Sequence, residues 1–185
     1  MKPKYFLFLC LSFLIFNSSL LIGTVRYVSK TGTSTPPYTS WQTAADSIQK
    51  CINICIDGDT VYVANGIYKE QIIMLPGLSL IGAGMDSCVI NFQMTGMAAV
   101  QFADSCHLSG FKIIVPNTLN TLAIESNGHT GLVTLNKIVN ASQGIYVNES
   151  DVTVYKNIFE NIKTRGVNIF NSNSIIRMNL IYTDP

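Results

Sequence analysis

A short pattern centred on asparagine occurs three times in the last third of the chain, and it narrows the possible folds further than any other feature. Leu135-Asn136-Lys137-Ile138 is echoed by Lys156-Asn157-Ile158-Phe159 and again by Met178-Asn179-Leu180-Ile181, so the asparagines stand 21 and 22 residues apart. Gly144-Ile145-Tyr146-Val147 returns in the same way as Gly166-Val167-Asn168-Ile169. Strands of three to five residues, divided by Gly, Asn and Ser turns at such a period, describe the coils of a solenoid. One coil cannot bury its own apolar side chains. It must stack on the next, with equivalent residues about 4.8 Å apart. Ile145 and Ile169 are expected to face inward. Asn136, Asn157 and Asn179 are read as a structural ladder whose amides hydrogen-bond from coil to coil, each asparagine taking the left-handed backbone angles of a corner.

Composition agrees with that architecture. Apolar residues make up 48% of the chain and charged residues 12%, where about a quarter is usual for the charged ones. Low charge with abundant Ile, Val, Asn, Ser and Thr suits strands buried on one face and stacked on their neighbours. The net charge is +1 and there is no basic run, which argues against nucleic acid as a partner. At 185 residues the chain is long enough for one domain and short for two.

The N-terminal stretch differs. Lys2 and Lys4 precede an apolar run from Tyr5 to Phe16, the order of a secretory signal. The run is short of the roughly 20 residues a membrane span needs, so no span is expected beyond this segment. The domain plan is therefore a signal peptide over 1–23, a strand and capping helix over 24–57, and parallel coils over 58–185. A secreted or cell-surface location follows as an expectation. Trp41, Ala44, Ala45, Ile48, Cys51, Ile52 and Cys55 recur at helical spacing and predict a helix of about 15 residues. Thr39 and Gln42 would form its capping box.

Four cysteines follow the signal segment: Cys51, Cys55, Cys88 and Cys106. Cys51 and Cys55 share a helix face and suit core packing. Asp86-Ser87-Cys88 recurs as Asp104-Ser105-Cys106, which suggests equivalent positions on adjacent coils. Two buried free thiols are the expectation there, with a disulfide as the alternative.

The segment from Arg26-Tyr27-Val28-Ser29 through Ser40-Trp41-Gln42, then GDTVYVANGIYKE (58–70) and LSLIGAG (78–84), resembles the N-terminal region of pectin-lyase-like parallel β-helix proteins. The coils around Asn136 and Asn157 are similar to that superfamily's generic repeats. The resemblance covers about residues 25 to 185 and implies an all-β, right-handed parallel β-helix with an N-terminal capping α-helix. It also implies an extracellular setting, which in that superfamily includes polysaccharide lyases, hydrolases and pectin esterases as well as tailspikes, adhesins and surface proteins.

No catalytic constellation is legible. Lyases of this fold gather several acids around calcium, which wants six to eight oxygen ligands. Here Glu70, Asp86, Asp104, Glu125, Glu149, Asp151 and Glu160 are scattered. Calcium is thus expected only if the chain is a lyase, and no metal site or other cofactor is evident. Aligning coils by their strands sets Glu125 beside Asn148 and Ser126 beside Glu149, bringing at most two carboxylates near one face. The short aspartate motifs of the hydrolases do not occur. Gln143, Asp151 and Arg165 lack the context of the esterases. His107 and His129 read as lone turn or surface residues. The candidates for sugar contact are Glu125, Tyr146, Glu149, Tyr155 and Arg165, where rings stack on sugars and polar groups hold hydroxyls. Because Asn179 opens a further coil just before Pro185, a C-terminally truncated product is also expected, with any catalytic coils beyond it. Two readings stay open: a non-catalytic scaffold that binds carbohydrate or a cell surface, and a polysaccharide-acting enzyme or a fragment of one.

Overall fold

The computed structural model describes residues 23–182. The expected signal segment therefore lies, Gly23 apart, outside the described residues. A first strand, β1 (Val25–Val28), precedes a short helix, α1 (Ile48–Ile52). The chain then winds through coils of three strands. The first coil carries β2 (Thr60–Val63), β3 (Gly66–Tyr68) and β4 (Ile72–Ile73), and the second β5 (Ser79–Gly82), β6 (Cys88–Asn91) and β7 (Ala98–Gln101). The third carries β8 (Cys106–Ser109), β9 (Lys112–Ile114) and β10 (Leu122–Asn127). Next come β11 (Thr130–Thr134), β12 (Lys137–Val139) and β13 (Gln143–Asn148). After these follow β14 (Asp151–Tyr155), β15 (Ile158–Glu160) and β16 (Arg165–Phe170), then β17 (Ile175–Arg177) and β18 (Leu180–Tyr182).

β1 pairs with β2, and from β2 to β15 each strand pairs with the one three further on, always in parallel. Sheet A runs β1-β2-β5-β8-β11-β14-β17, sheet B β3-β6-β9-β12-β15-β18, and sheet C β4-β7-β10-β13-β16. The result is an all-β parallel solenoid of about six turns, consistent with a right-handed β-helix.

The core consists of three columns, one from each sheet. Val61, Leu80, Leu108, Val133 and Val154 stack in sheet A. Tyr68, Ile90, Ile113, Ile138 and Phe159 stack in sheet B, and Ile72, Val100, Ile124 and Ile145 in sheet C. All of these side chains are fully buried. Since successive residues of a strand point to opposite faces, fixing these columns fixes which residues face water.

The asparagine ladder runs through the turns between sheets A and B. Phe111 N–H donates to Asn136 Oδ1 at 3.1 Å, Asn136 N–H to Asn157 Oδ1 at 3.0 Å, and Asn157 N–H to Asn179 Oδ1 at 2.8 Å. Asn136 Nδ2 donates back to Leu108 O and Thr134 O, and Asn157 Nδ2 to Val133 O. Asn136 and Asn157 are fully buried. The left-handed conformation expected of these asparagines falls instead on the residue before each: Leu135 (φ 55°), Lys156 (φ 54°) and Met178 (φ 56°). The chain reverses one residue early, which turns the amide inward where it can bridge two coils.

Three local expectations are corrected. The helix is five residues, not fifteen, because residues 41–45 follow a different path. Ala45 N–H donates to Tyr27 O and Ser29 N–H to Ala45 O, which lays Ala45 alongside β1 as a parallel bridge. The cap is not Thr39 with Gln42. It is Ser47, whose hydroxyl accepts from Lys50 N–H, joined by Glu70, whose carboxylate accepts from the Ile48 and Gln49 N–H groups. Cys88 and Cys106 also fail to occupy equivalent positions, since Cys88 lies on sheet B and Cys106 on sheet A. Both are free and buried, as are Cys51 and Cys55. No helix among the described residues is long and apolar enough to cross a membrane.

Candidate functional site

The outward face of sheet C gathers more candidate residues than any other surface. In β10, Ile124 and Ser126 are buried, so Glu125 between them faces out; in β13, Ile145 and Val147 leave Tyr146 outward by the same alternation. The register sets Gln101, Glu125, Tyr146 and Asn168 side by side across four coils. A second outward row holds Leu122, Gln143 and Arg165, and a third Asn127, Asn148 and Phe170.

These rows are linked. Asn168 Nδ2 donates to Gln143 Oε1 at 2.6 Å, and Asn148 Nδ2 to Asn127 Oδ1 at 2.8 Å. The Tyr146 ring rests 5.8 Å from that of Phe170 at 49°. Beside Glu125 lies a shallow cleft of about 260 Å³, bordered by Met97, Asn120, Leu122 and Gln143. Gly144 allows the strands to approach here. A Cβ on it would sit 2.4 Å from Gly166 O and 2.7 Å from the Phe159 ring, so Phe159 fills the space a side chain would take.

Three of the five candidates therefore share one face: Glu125, Tyr146 and Arg165. The other two do not. Glu149 sits in the turn after β13 with φ 49°, its N–H donating to Phe170 O. Tyr155 belongs to sheet A, where Lys156 Nζ lies 5.0 Å from its ring centre. The expected register is also corrected: Glu125 pairs with Tyr146, not Asn148, and Ser126 with Val147, not Glu149. Glu125 is then the one carboxylate borne by the five strands of sheet C. Gln101, Gln143 and Asn168 were missed as parts of this face. The Gly144/Gly166 echo already aligned Tyr146 with Asn168, and one step further back along that row would have reached Glu125.

Elsewhere the titratable groups stand alone or in simple ion pairs, Arg26–Asp59, Lys50–Asp46 and Lys137–Glu160. His107 lies on β8 rather than in a turn, between Ser79 and Leu132 on the neighbouring strands. Burial lowers its pKa, and its Nε2 finds no hydrogen-bond partner among the described residues. His129 is in a turn, as expected, its N–H donating to Ser150 Oγ. Asp104 accepts from the N–H and hydroxyl of Thr130, which lower its pKa. Among the described residues no three His, Cys, Asp or Glu side chains gather as metal ligands.

No protein-family model matches the chain, and no curated protein matches it. Among solved structures it is similar to a crystal structure of pectin methylesterase in complex with a hexasaccharide, with a TM-score of 0.43 and 11% identity over 83% of this chain. The match takes in 66% of that chain, so this chain spans just under two thirds of its length. At that identity no residue here takes a role from it.

Proposed function

We propose that the chain is a secreted or cell-surface β-helix that binds an extracellular polysaccharide along the outward face of sheet C without cleaving it. The observation that carries this reading is the row Gln101–Glu125–Tyr146–Asn168. A planar ring is flanked by amides and one carboxylate on a flat, repeating surface, with Arg165 at its edge. Such a surface stacks on a sugar ring and holds its hydroxyls. Glycoside hydrolysis by the usual route needs two carboxyl groups flanking the scissile bond. Sheet C bears one. The basic residues and apolar run at the N-terminus support export.

The test uses the full chain with polygalacturonate and calcium, following unsaturated product in the ultraviolet and binding by calorimetry. Binding without turnover is expected, weakened about fivefold or more by Tyr146→Ala, as loss of one aromatic contact implies. Turnover abolished by Glu125→Gln would replace this reading with the enzymatic one.

A further inference from the structure

At the N-terminal end of sheet A, remote in sequence from the Glu125 row, three aromatic rings meet at the surface. Arg26 and Val28 of β1, and Val61 and Val63 of β2, are buried, so Tyr27 and Tyr62 must face outward. The two are in register, their rings 6.2 Å apart and within 26° of parallel. Trp41 approaches from the loop between β1 and α1, its ring 4.5 Å from that of Tyr27 and inclined at 55°.

The loop holds the indole in place. Tyr27 N–H donates to Tyr38 O at 2.8 Å, Thr33 N–H to Gln42 O at 2.9 Å, and Ala45 N–H to Tyr27 O at 2.9 Å. Tyr38 is itself buried, and the Ser40 and Thr43 hydroxyls meet at 2.9 Å on either side of Trp41 in the chain. Yet Trp41 remains 47% and Tyr62 39% exposed. Rings fixed in place and left open to water are unusual, because burial of such rings is among the largest sources of apolar stabilisation.

Size and charge narrow what could cover them. With about 150–250 Å² per aromatic side chain, the exposed ring surface of Trp41 and Tyr62 is on the order of 150–200 Å². That is far below the roughly 800 Å² per partner of a stable protein interface. Arg26 and Asp59, both buried, pair with each other at 3.1 Å, and Thr60 and Ser79, in register beside the ring row, carry no charge. Ile81 continues the outward row past Tyr62. The patch thus offers a charged polymer no electrostatic hold, unlike the face carrying Glu125 and Arg165. A neutral pyranose fits. Its C–H face is electropositive and complements the negative faces of the rings, and its hydroxyls can meet the phenol and indole polar atoms.

We propose that Tyr27, Trp41 and Tyr62 form a second carbohydrate platform, which takes the apolar face of a neutral pyranose chain independently of sheet C. Trp41 is the one tryptophan in the sequence, so its fluorescence reports this site alone. Full-length chain titrated with cello- and xylo-oligosaccharides should show a saturable shift in emission, and polygalacturonate should leave it unchanged. By calorimetry, Trp41→Ala and Tyr62→Ser should each weaken neutral-oligosaccharide binding by about fivefold or more. Tyr146→Ala should leave that binding intact while weakening any polygalacturonate binding. Circular dichroism melts confirm that each variant is folded, and Tyr62→Ser serves where Trp41→Ala does not fold. Absence of a saturable shift, or neutral binding that falls with Tyr146→Ala and survives Tyr62→Ser, would overturn the proposal. So would a shift that follows protein concentration alone, which would make the patch a self-association surface.

Discussion

Asn157 shows how much one side chain does in this fold. Its carbonyl accepts the Asn136 N–H, its amide donates to Val133 O, and its own N–H is received by Asn179 Oδ1. Asn157→Ala leaves a buried donor and a buried acceptor unmatched, and each such group costs about 1–3 kcal/mol. A loss of about 2–4 kcal/mol in urea melts is expected, with a smaller loss for Asn179→Ala, whose site is less buried. Asp59 is the ionic counterpart. Its carboxylate, fully buried, accepts from Thr24 N–H at 2.6 Å, Ile56 N–H at 3.0 Å and Arg26 Nε at 3.1 Å. Burial alone would raise its pKa, but these donors outweigh burial and hold it below the ordinary carboxylate value. A group depressed in the fold stabilises it fully above its unfolded pKa of about 3.9, and that contribution is lost as pH falls through the lower folded value. Thermal melts from pH 7 to pH 2 should therefore show wild type losing stability below about pH 4. Asp59→Asn should start lower at neutral pH and follow a flatter course.

Strands and their columns set the cost of apolar truncation. Ile145 is fully buried between Ile124 and Val167 on the neighbouring strands, so Ile145→Ala should cost about 2–5 kcal/mol. Ile169 follows Val147 in register but is 39% exposed, so Ile169→Ala should cost less than about 1 kcal/mol. Equal losses at the two sites in urea melts would show that the column assignment is wrong. The strand order and the inward face were legible in sequence because the Asn136–Asn157–Asn179 period and the Gly144/Gly166 echo both follow coil geometry. The site was legible only in part. Coils differ in turn length: the step from Leu80 to Leu108 is longer than that from Val133 to Val154. One period therefore cannot align every sheet, and Glu125 was placed two residues out of register. The same variation made Asp-Ser-Cys look like a coil repeat, although its two copies lie on different sheets. The helix was overestimated because the apolar spacing of Trp41 to Ala45 was claimed by backbone bonds to β1, which a helical pattern does not reveal.

For the whole molecule, a continuous core implies that reagents reach the interior only when coils separate. Cys51, Cys55, Cys88 and Cys106 are all buried and free, and burial raises the Cys88 thiol to about 11. Alkylation of the native chain at pH 8 should leave all four unmodified, and labelling after denaturation should reach each of them. Peptide mass mapping would show this, and a linked Cys88–Cys106 peptide would contradict the placement of these residues on separate sheets. The asparagine column also has a direction, since the carbonyl of the later coil always accepts from the backbone of the earlier one. A turn is therefore chemically complete only once its successor has arrived. On a ribosome adding about 5–20 residues each second, each new turn would wait roughly one to four seconds for the one that closes it. Over that interval the youngest turn is the exposed, growing end of a template, and the polarity of the amide column makes assembly run in the same direction as synthesis.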